Sequence, residues 1–392
     1  MRVYRRTGVQ LIACLLALLS VSTAAAQSGS GEEVTRDGRQ GTNLINAGVP
    51  FLLIAPDSRA GAMGDAGVAT TPDANSTHWN PAKLAFIQDT AGLSLSYSPW
   101  LQRLVPDINL AYLSGFYKLD DRNVIGGSLR YFSLGDIEFT QGENDAVTPY
   151  NPNEFAIDAT YARLFGNLSL GTAIRFIRSN LAGGYVLSSG AEIRPATAIA
   201  ADASAYFQNE TFLLGSDARI AVGLNISNIG NRIRYTSNEG ARIPLPTNLK
   251  LGSAATLYDD LSEFTFTIDI NKLLVPTPPV RDENGKVISG KDDDRSVPAG
   301  IFGSFSDAPG GFSEELQEIS YSVGSEYWYN RQFALRAGYL YENPAKGNRQ
   351  YLTLGAGVKY NIFNLDFSYI LANQQKSPMA NTLRFSLLFS FQ

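Results

Sequence analysis

From residue 91 to the C-terminus, apolar and polar positions alternate with a period of two. Phe264, Phe266, Ile268 and Ile270 alternate with Thr265, Thr267, Asp269 and Asn271. Leu352, Leu354, Ala356, Val358 and Tyr360 alternate with Thr353, Gly355, Gly357 and Lys359, and Phe363, Leu365, Phe367, Tyr369 and Leu371 repeat the pattern. Successive side chains of a strand point to opposite faces, so each run has one apolar face and one polar or small one. A soluble sandwich alternates too, but its strands average about 5–6 residues. These runs are nine to fourteen residues long, enough for the roughly 9–11 residues of a tilted membrane-spanning strand. Fourteen runs occur, near 91–99, 107–119, 122–134, 153–165, 168–179, 196–208, 217–228, 246–258, 261–273, 315–328, 331–342, 349–360, 362–372 and 381–391. The predicted fold is all-β and membrane-embedded: a fourteen-stranded antiparallel transmembrane β-barrel over 91–392, with a short helical N-terminal plug.

The connections alternate in length. Links after even-numbered runs are short: Asp120-Asp121, Gly166-Asn167, Asp259-Asp260, Tyr329-Asn330 and Asn361, with 209–216 the one longer exception. Links after odd-numbered runs, at 100–106, 135–152, 180–195, 229–245, 274–314, 343–348 and 373–380, are all longer. Short turns belong on the periplasmic side and long loops outside, which places the barrel termini in the periplasm of a Gram-negative outer membrane. The last run alternates Leu383, Phe385, Leu387, Phe389 and Phe391 with Arg384, Ser386 and Ser390. Tyr97, Trp100, Tyr327, Trp328, Tyr329, Tyr339, Tyr341 and Tyr360 gather near strand ends, as interfacial girdles do.

The first ninety residues break the pattern. Residues 1–26 read as a signal peptide: Arg2, Arg5 and Arg6, an apolar stretch from Leu11 to Val21, then Ala24-Ala25-Ala26 for cleavage. Leu11-Ile12-Ala13-Cys14 resembles a lipoprotein box, but apolar sequence continues past Cys14. Residues 27–41 are a polar, flexible segment. Residues 42–90 are rich in small residues, with a helix start at Asp57, a stop at Gly64 and a second start at Asn80-Pro81. This stretch is the predicted plug, or hatch, and Arg59, Met63, His78, Trp79, Asn80 and Pro81 are its marked residues.

Composition narrows the chemistry. A formal net charge of −5 gives no basic footprint for nucleic acid. Cys14, the only cysteine, leaves with the signal, which removes disulfide and thiolate chemistry. A mean hydropathy of −0.09 excludes a helical membrane protein. His78 is the only histidine, so a His-based triad or metal centre has one residue to build on. Neither catalytic residues nor a cofactor or metal site are expected. Arg130, Asp158, Arg175, Lys250, Asp269, Arg336, Asp366 and Arg384 fall on the lumen side, where charges pair with one another or line a path. The longest loop, 274–314, contains Pro276, Pro278 and Pro279, an Asn284-Gly285 turn after Arg281, and the acidic run Asp292-Asp293-Asp294, which lacks EF-hand spacing. A loop of this length reads as a docking surface, with Pro278, Pro279, Arg281, Asn284, Gly285, Asp293, Phe302 and Phe305 as candidate partner-binding residues.

Residues 48–69 (GVPFLLIAPDSRAGAMGDAGVA), His78-Trp79-Asn80-Pro81-Ala82, SLSYSPWL at 94–101, DINLAYLSGFYKL at 107–119, LRYFSLGDI at 129–137 and NPNEFAIDATYARLF at 151–165 resemble the PorV family. PorV-like proteins are outer-membrane barrels of the type IX protein secretion system. The resemblance implies a FadL-like barrel with an N-terminal hatch and no catalysis of its own. It also implies a shuttle that binds secreted cargo through a C-terminal signal domain at a SprA-like translocon barrel. The cargo would then pass to a PorU-like sortase attachment complex, with outer-membrane lipid as the other neighbour. Two further functions compete. A FadL-like transporter of hydrophobic compounds would need an apolar pocket in the lumen. An enzyme of surface lipid would need His78 or a carboxylate pair near the membrane surface.

Overall fold

The structure is a computed structural model that describes residues 43–100, 107–139, 148–181, 192–236, 242–372 and 381–392. The expected signal peptide at 1–26 and the polar segment expected at 27–41 lie outside the described residues. The fourteen long strands are β1 (Ala91–Pro99), β2 (Ile108–Lys118), β3 (Asn123–Leu134), β4 (Asn153–Phe165), β5 (Leu168–Asn180), β6 (Ala196–Leu213), β7 (Ser216–Gly230), β8 (Asn248–Tyr258), β9 (Ser262–Leu273), β10 (Ile319–Tyr329), β11 (Phe333–Tyr341), β12 (Gln350–Tyr360), β13 (Phe363–Ala372) and β14 (Leu383–Phe391). Each pairs antiparallel with its neighbours in the chain, and β1 closes on β14 from Ala91↔Phe391 to Tyr97↔Phe385. The alternation read from the sequence sets which face each side chain takes. Leu93, Leu95 and Tyr97 of β1 face outward, and Ser94, Ser96 and Ser98 are buried inward.

The turn parity is cleaner than the sequence suggested. Strand β6 runs on to Leu213, and the link to β7 is a two-residue turn of Leu214 and Gly215, both at positive φ. That conformation matches the twist of a hairpin. The extension past Gln208 starts polar, with Asn209, Glu210 and Thr211, and there Glu210 pairs with Arg219 at 2.8 Å and accepts the Tyr258 hydroxyl at 2.7 Å.

Three other expectations change. The run at 315–328 starts as a strand only at Ile319; residues 312–317 form a helix whose Glu315, together with Glu318, closes on Lys272 at 2.9 and 2.7 Å. Trp100 is buried in the lumen rather than in a girdle. Trp328 also points inward, on the same strand face as Glu326, and lies under Arg336.

The plug enters the barrel at one end and leaves at the other. At the long-loop end, Asn43 donates to Glu314 at 3.2 Å and the Gly48 N–H donates to Pro244 O at 2.9 Å. At the short-turn end, the Thr90 N–H donates to Phe391 O at 2.8 Å. Between them lie a 3-10 turn at Pro50–Leu53, helix α1 (Ser58–Gly61), helix α2 (Ser76–Trp79) and a second 3-10 helix at Pro81–Phe86. Asp57 caps α1 by accepting the Ala60 N–H at 2.9 Å, and Asn80 accepts the Ala82 N–H at 3.1 Å, as the helix-start signals required. With the short turns in the periplasm, residue 44 lies at the cell surface. A cysteine at exposed Leu44 should therefore react with a membrane-impermeant maleimide on intact cells, and one at Asp121 only after the outer membrane is opened. Equal labelling of both on intact cells would refute this placement.

Candidate functional site

The lumen is a packed interface between plug and wall. Inward glycines create the space. An atom in the Cβ position of Gly338 would sit 2.1 Å from the carbonyl carbon of Met63, and one at Gly171 would sit 2.4 Å from the backbone nitrogen of Ala82. Plug backbone thus lies directly on wall backbone, which only a residue without Cβ permits.

Buried charges then pin the two parts. Arg59 of α1 donates to both carboxylate oxygens of Glu326 on β10, at 3.0 and 2.7 Å, and pairs with Asp73 at 2.9 Å. Glu326 also accepts from Arg336 at 2.6 Å, and Arg336 reaches Asp366 at 2.7 Å. The chain Arg59–Glu326–Arg336–Asp366 alternates in sign, which is the condition for holding such groups out of water. Arg384 pairs with Asp65 at 2.9 Å. Asp269 accepts the N–H groups of Gly67 and Val68 at 2.8 and 3.0 Å. Arg175 pairs with Asp158 at 2.6 Å and Asp202 at 3.0 Å. Asn80 donates to Val68 O and Ala205 O, both at 3.1 Å, and Met63 packs against Gly324 and Gly338. Pro81 opens the second 3-10 helix.

His78 lies in this interior, edge-on to Trp79. Its Nδ1 is 2.6 Å from Nη2 of Arg130. Arginine can only donate, so Nδ1 accepts and the ring proton sits on Nε2. Arg130 also donates to Leu52 O at 2.8 Å and lies over Tyr112. Among the described residues it has no carboxylate partner. His78 is therefore committed to holding Arg130 inside the lumen, and the surface-lipid enzyme loses its candidate base. No group of three or more His, Cys, Asp or Glu among the described residues could hold a metal.

The interior holds several apolar clusters, one around Leu84, Ile87, Phe116 and Val124 and a larger one nearer the long loops. At the outer half, Phe51 and Leu52 of the plug pack on Leu110, Phe132, Ala156, Ile177 and Trp100, beneath Ile233 and Leu245 of the overlying loop. Phe51 and Phe132 stack with centroids 6.2 Å apart. Beside it, a small polar cavity of about 90 Å³ holds Lys250, whose ammonium lies 4.3 Å from the Trp79 ring centre. At the short-turn end a cavity of about 360 Å³ opens between Phe86, Phe116, Trp328, Phe389, Arg331 and Lys359.

The rim loop is structured. It contains a short hairpin (Val280–Arg281 with Val287–Ser289), helix α3 (Val297–Gly303) and helix α4 (Phe312–Gln317). Arg281 binds Asp292 at 2.9 Å and Asp293 at 2.6 Å, so those carboxylates are engaged within the hairpin. Asn284 and Gly285 form its exposed tip, Pro278 and Pro279 are half-buried at its base, and Phe302 and Phe305 project from α3 and just after it. Spacing alone did not reveal the anchor of this loop, Lys272 and Lys346 against Glu314, Glu315 and Glu318. Burial raises the Glu314 carboxyl, but the Lys346 ammonium and the Gly310 N–H outweigh it and hold the group below the usual carboxylate range. Burial and the neighbouring Glu315 push Asp307 upward.

Solved barrels share this architecture. The Pseudomonas putida toluene transporter TodX is 14% identical, with a TM-score of 0.50, over 86% of this chain and 98% of its own. The Ralstonia pickettii toluene transporter TbuX is 13% identical, with a TM-score of 0.46, over 86% and 98%. A Pseudomonas aeruginosa FadL homologue is 12% identical, with a TM-score of 0.44, over 86% and 99%. No curated protein sequence matches the chain. The cargo-shuttle expectation is corrected: the barrel shares its fold with TodX, a toluene transporter. The chain is an outer-membrane barrel with its barrel termini in the periplasm. The family model described as type IX secretion system protein PorV matches residues 37–280, more than half of the sequence, and the chain belongs to that family.

Proposed function

We propose that this barrel takes up small hydrophobic compounds, as FadL-type transporters do, and receives them in the outer half of its lumen. The apolar cluster around Phe51 and Leu52 carries the reading. A lumen wall has no need of apolar side chains where it meets water, and ligand sites are concave, mostly apolar and rimmed by a few polar groups. In the resting protein Phe51 and Leu52 occupy the site, and Arg130 holds their carbonyls. A planar hydrocarbon of the class named for TodX and TbuX has the shape to replace the Phe51 ring against Phe132. Participation in type IX secretion is a finer proposal, supported by the family description. It concerns the machinery around the barrel rather than the content of its lumen, and co-purification with a second outer-membrane protein tests it.

Trp100 reports on the site directly, since it is part of the cluster. Toluene titrated into the detergent-solubilised protein is expected to change tryptophan emission saturably. Ala198→Phe, which fills the inward face of β6 within the cluster, is expected to abolish the response. A wild-type protein without a saturable change up to the solubility of toluene would remove the proposal.

A further inference from the structure

The chain is acidic as a whole, yet one sector of its outer rim is strongly basic. Across the described residues of the loop between β7 and β8, Ile233 and Ile243 exchange both backbone hydrogen bonds, at 2.8 and 2.9 Å. Their side chains face inward, where an atom in the Cβ position of Gly48 would lie 2.6 Å from Ile233. The next residues along this pairing, Arg234 and Arg242, therefore sit opposite each other on the outward face. Like charges directly across a pair of strands destabilise it. Both arginines line an open depression of about 880 Å³, together with Thr197, Arg232 and Arg295. The single carboxylate in its lining, Asp294, is held by Arg232 at 2.7 Å. Among the described residues, neither Arg234 nor Arg242 has an ion-pair partner.

The depression borders the lipid. Thr197 is on the outward face of β6 and pairs in register with Arg178 of β5, which is exposed. Phe155 of β4 lies level with Arg178; one step below on the same outward face come Phe176, in ring contact with Phe155 at 6.2 Å, and Ile199 level with it, and below them Ile174, both isoleucines more than 60% exposed. An aromatic pair with aliphatics beneath it and arginine above marks the outer edge of the hydrocarbon layer. A ligand for this surface must satisfy both zones: anionic oxygens for guanidinium forks, and acyl chains for the belt immediately below. Guanidinium matches phosphate in geometry and charge.

We propose that Arg178, Arg234 and Arg242 hold the phosphate groups of a phosphorylated glycolipid of the outer leaflet, with its acyl chains along Phe155, Phe176 and Ile199. The bound lipid neutralises the opposed arginines and seats the β5–β7 side of the barrel in the membrane.

The test uses the full-length protein in detergent, titrated with a bisphosphorylated glucosamine lipid, with the same lipid after dephosphorylation, and with inorganic phosphate, read by native mass spectrometry. The phosphorylated lipid is expected to bind at least about tenfold more tightly than the dephosphorylated one. The triple variant Arg178→Gln, Arg234→Gln, Arg242→Gln is expected to lose that preference. Lys359→Gln, at the opposite end of the barrel, should keep it. Gel mobility with and without heating establishes that each variant is a closed barrel. Equal affinity for the two lipids, an unchanged preference in the folded triple variant, or full displacement by millimolar inorganic phosphate would each overturn the assignment.

Discussion

Replacing Glu326 with alanine is expected to release the plug from the wall and to destabilise the protein by about 3–5 kcal/mol, the range for breaking a buried ion pair from one side. One carboxylate serves two guanidiniums here. Arg59 lies at 3.0 and 2.7 Å and Arg336 at 2.6 Å, and the side chains of Glu326 and Arg336 are essentially inaccessible to solvent. Alanine leaves Asp73 and Asp366 to balance Arg59 and Arg336 separately, so the bridge that joins plug to barrel is gone. The loss is larger than the pair's net worth, because both guanidiniums lose a desolvated hydrogen-bond acceptor that water cannot replace. The double variant Glu326→Leu, Arg59→Leu removes charge from both sides and should recover a large part of the loss. The measurement is the temperature at which the folded gel band converts to the unfolded one, since a membrane barrel unfolds irreversibly and its stability is read as a rate or midpoint. An unchanged midpoint for Glu326→Ala, or a double variant worse than the single one, would show that this network does not fasten the plug.

The same network shows what could be read from the sequence. The barrel was legible because lipid on one side and polar groups on the other impose a two-residue period on every strand, and because turn lengths alternate with the two membrane faces. The inward parity of Arg130, Arg175, Arg336 and Arg384 followed from that period. Their partners did not. Arg59 and Glu326 are 267 residues apart, and no local signal links an arginine in a four-residue helix to a glutamate on the tenth strand. Trp328 was open to a better reading, since it shares its parity with Glu326 and therefore faces inward. So was Trp100, which shares its parity with the inward Ser94, Ser96 and Ser98 and extends the β1–β2 pairing through its N–H to Ile108 O at 2.9 Å. The apolar cluster carried no such signal. Phe51 and Leu52 belong to a short 3-10 turn with no periodicity, and the wall they touch scatters Leu110, Phe132 and Ile177 over separate strands among alanines that read as small lumen residues. The sequence reads 315–317 as the start of a strand, though they end the helix at 312–317, because Leu316 and Ile319 are too few apolar positions to separate the two periods. The fold likewise could not choose between lumen and rim as the seat of function, because one architecture hosts different functions. The largest packed apolar cluster of the lumen is the feature that favours the lumen.

Gly338→Leu is expected to have the second large effect, and on permeability rather than on closure of the barrel. Gly338 faces Gly324 across the β10–β11 pair and Thr353 across the β11–β12 pair. Met63 and Gly64 of the plug run over this groove, and Thr353 ties them down by donating to Ala62 O at 2.8 Å and accepting from the Gly64 N–H at 2.9 Å. The nearest atoms to an added Cβ on Gly338 are backbone atoms of Met63 and Gly64, at 2.1 and 2.2 Å. Backbone cannot rotate aside as a side-chain tip can, so the whole turn must lift. Overpacking alone costs about 1–3 kcal/mol, and lifting the turn also breaks the Thr353 contacts and strains the Asp269 contact to Gly67. The strand register is untouched, because a β-branched or long residue is at home in a strand. The variant should therefore form a heat-modifiable barrel whose plug is loose. Single-channel conductance in a planar bilayer is expected to rise at least about tenfold over the closed wild type, since an eight-stranded barrel is already filled by its own side chains and a wider one without its plug leaves an aqueous path. Ala337→Leu, one residue away on the lipid face, should leave conductance at the wild-type level. If Gly338→Leu instead stays closed while folded, the plug has room that the backbone contacts deny, and the hydrophobic route through the lumen would need an opening elsewhere in the wall.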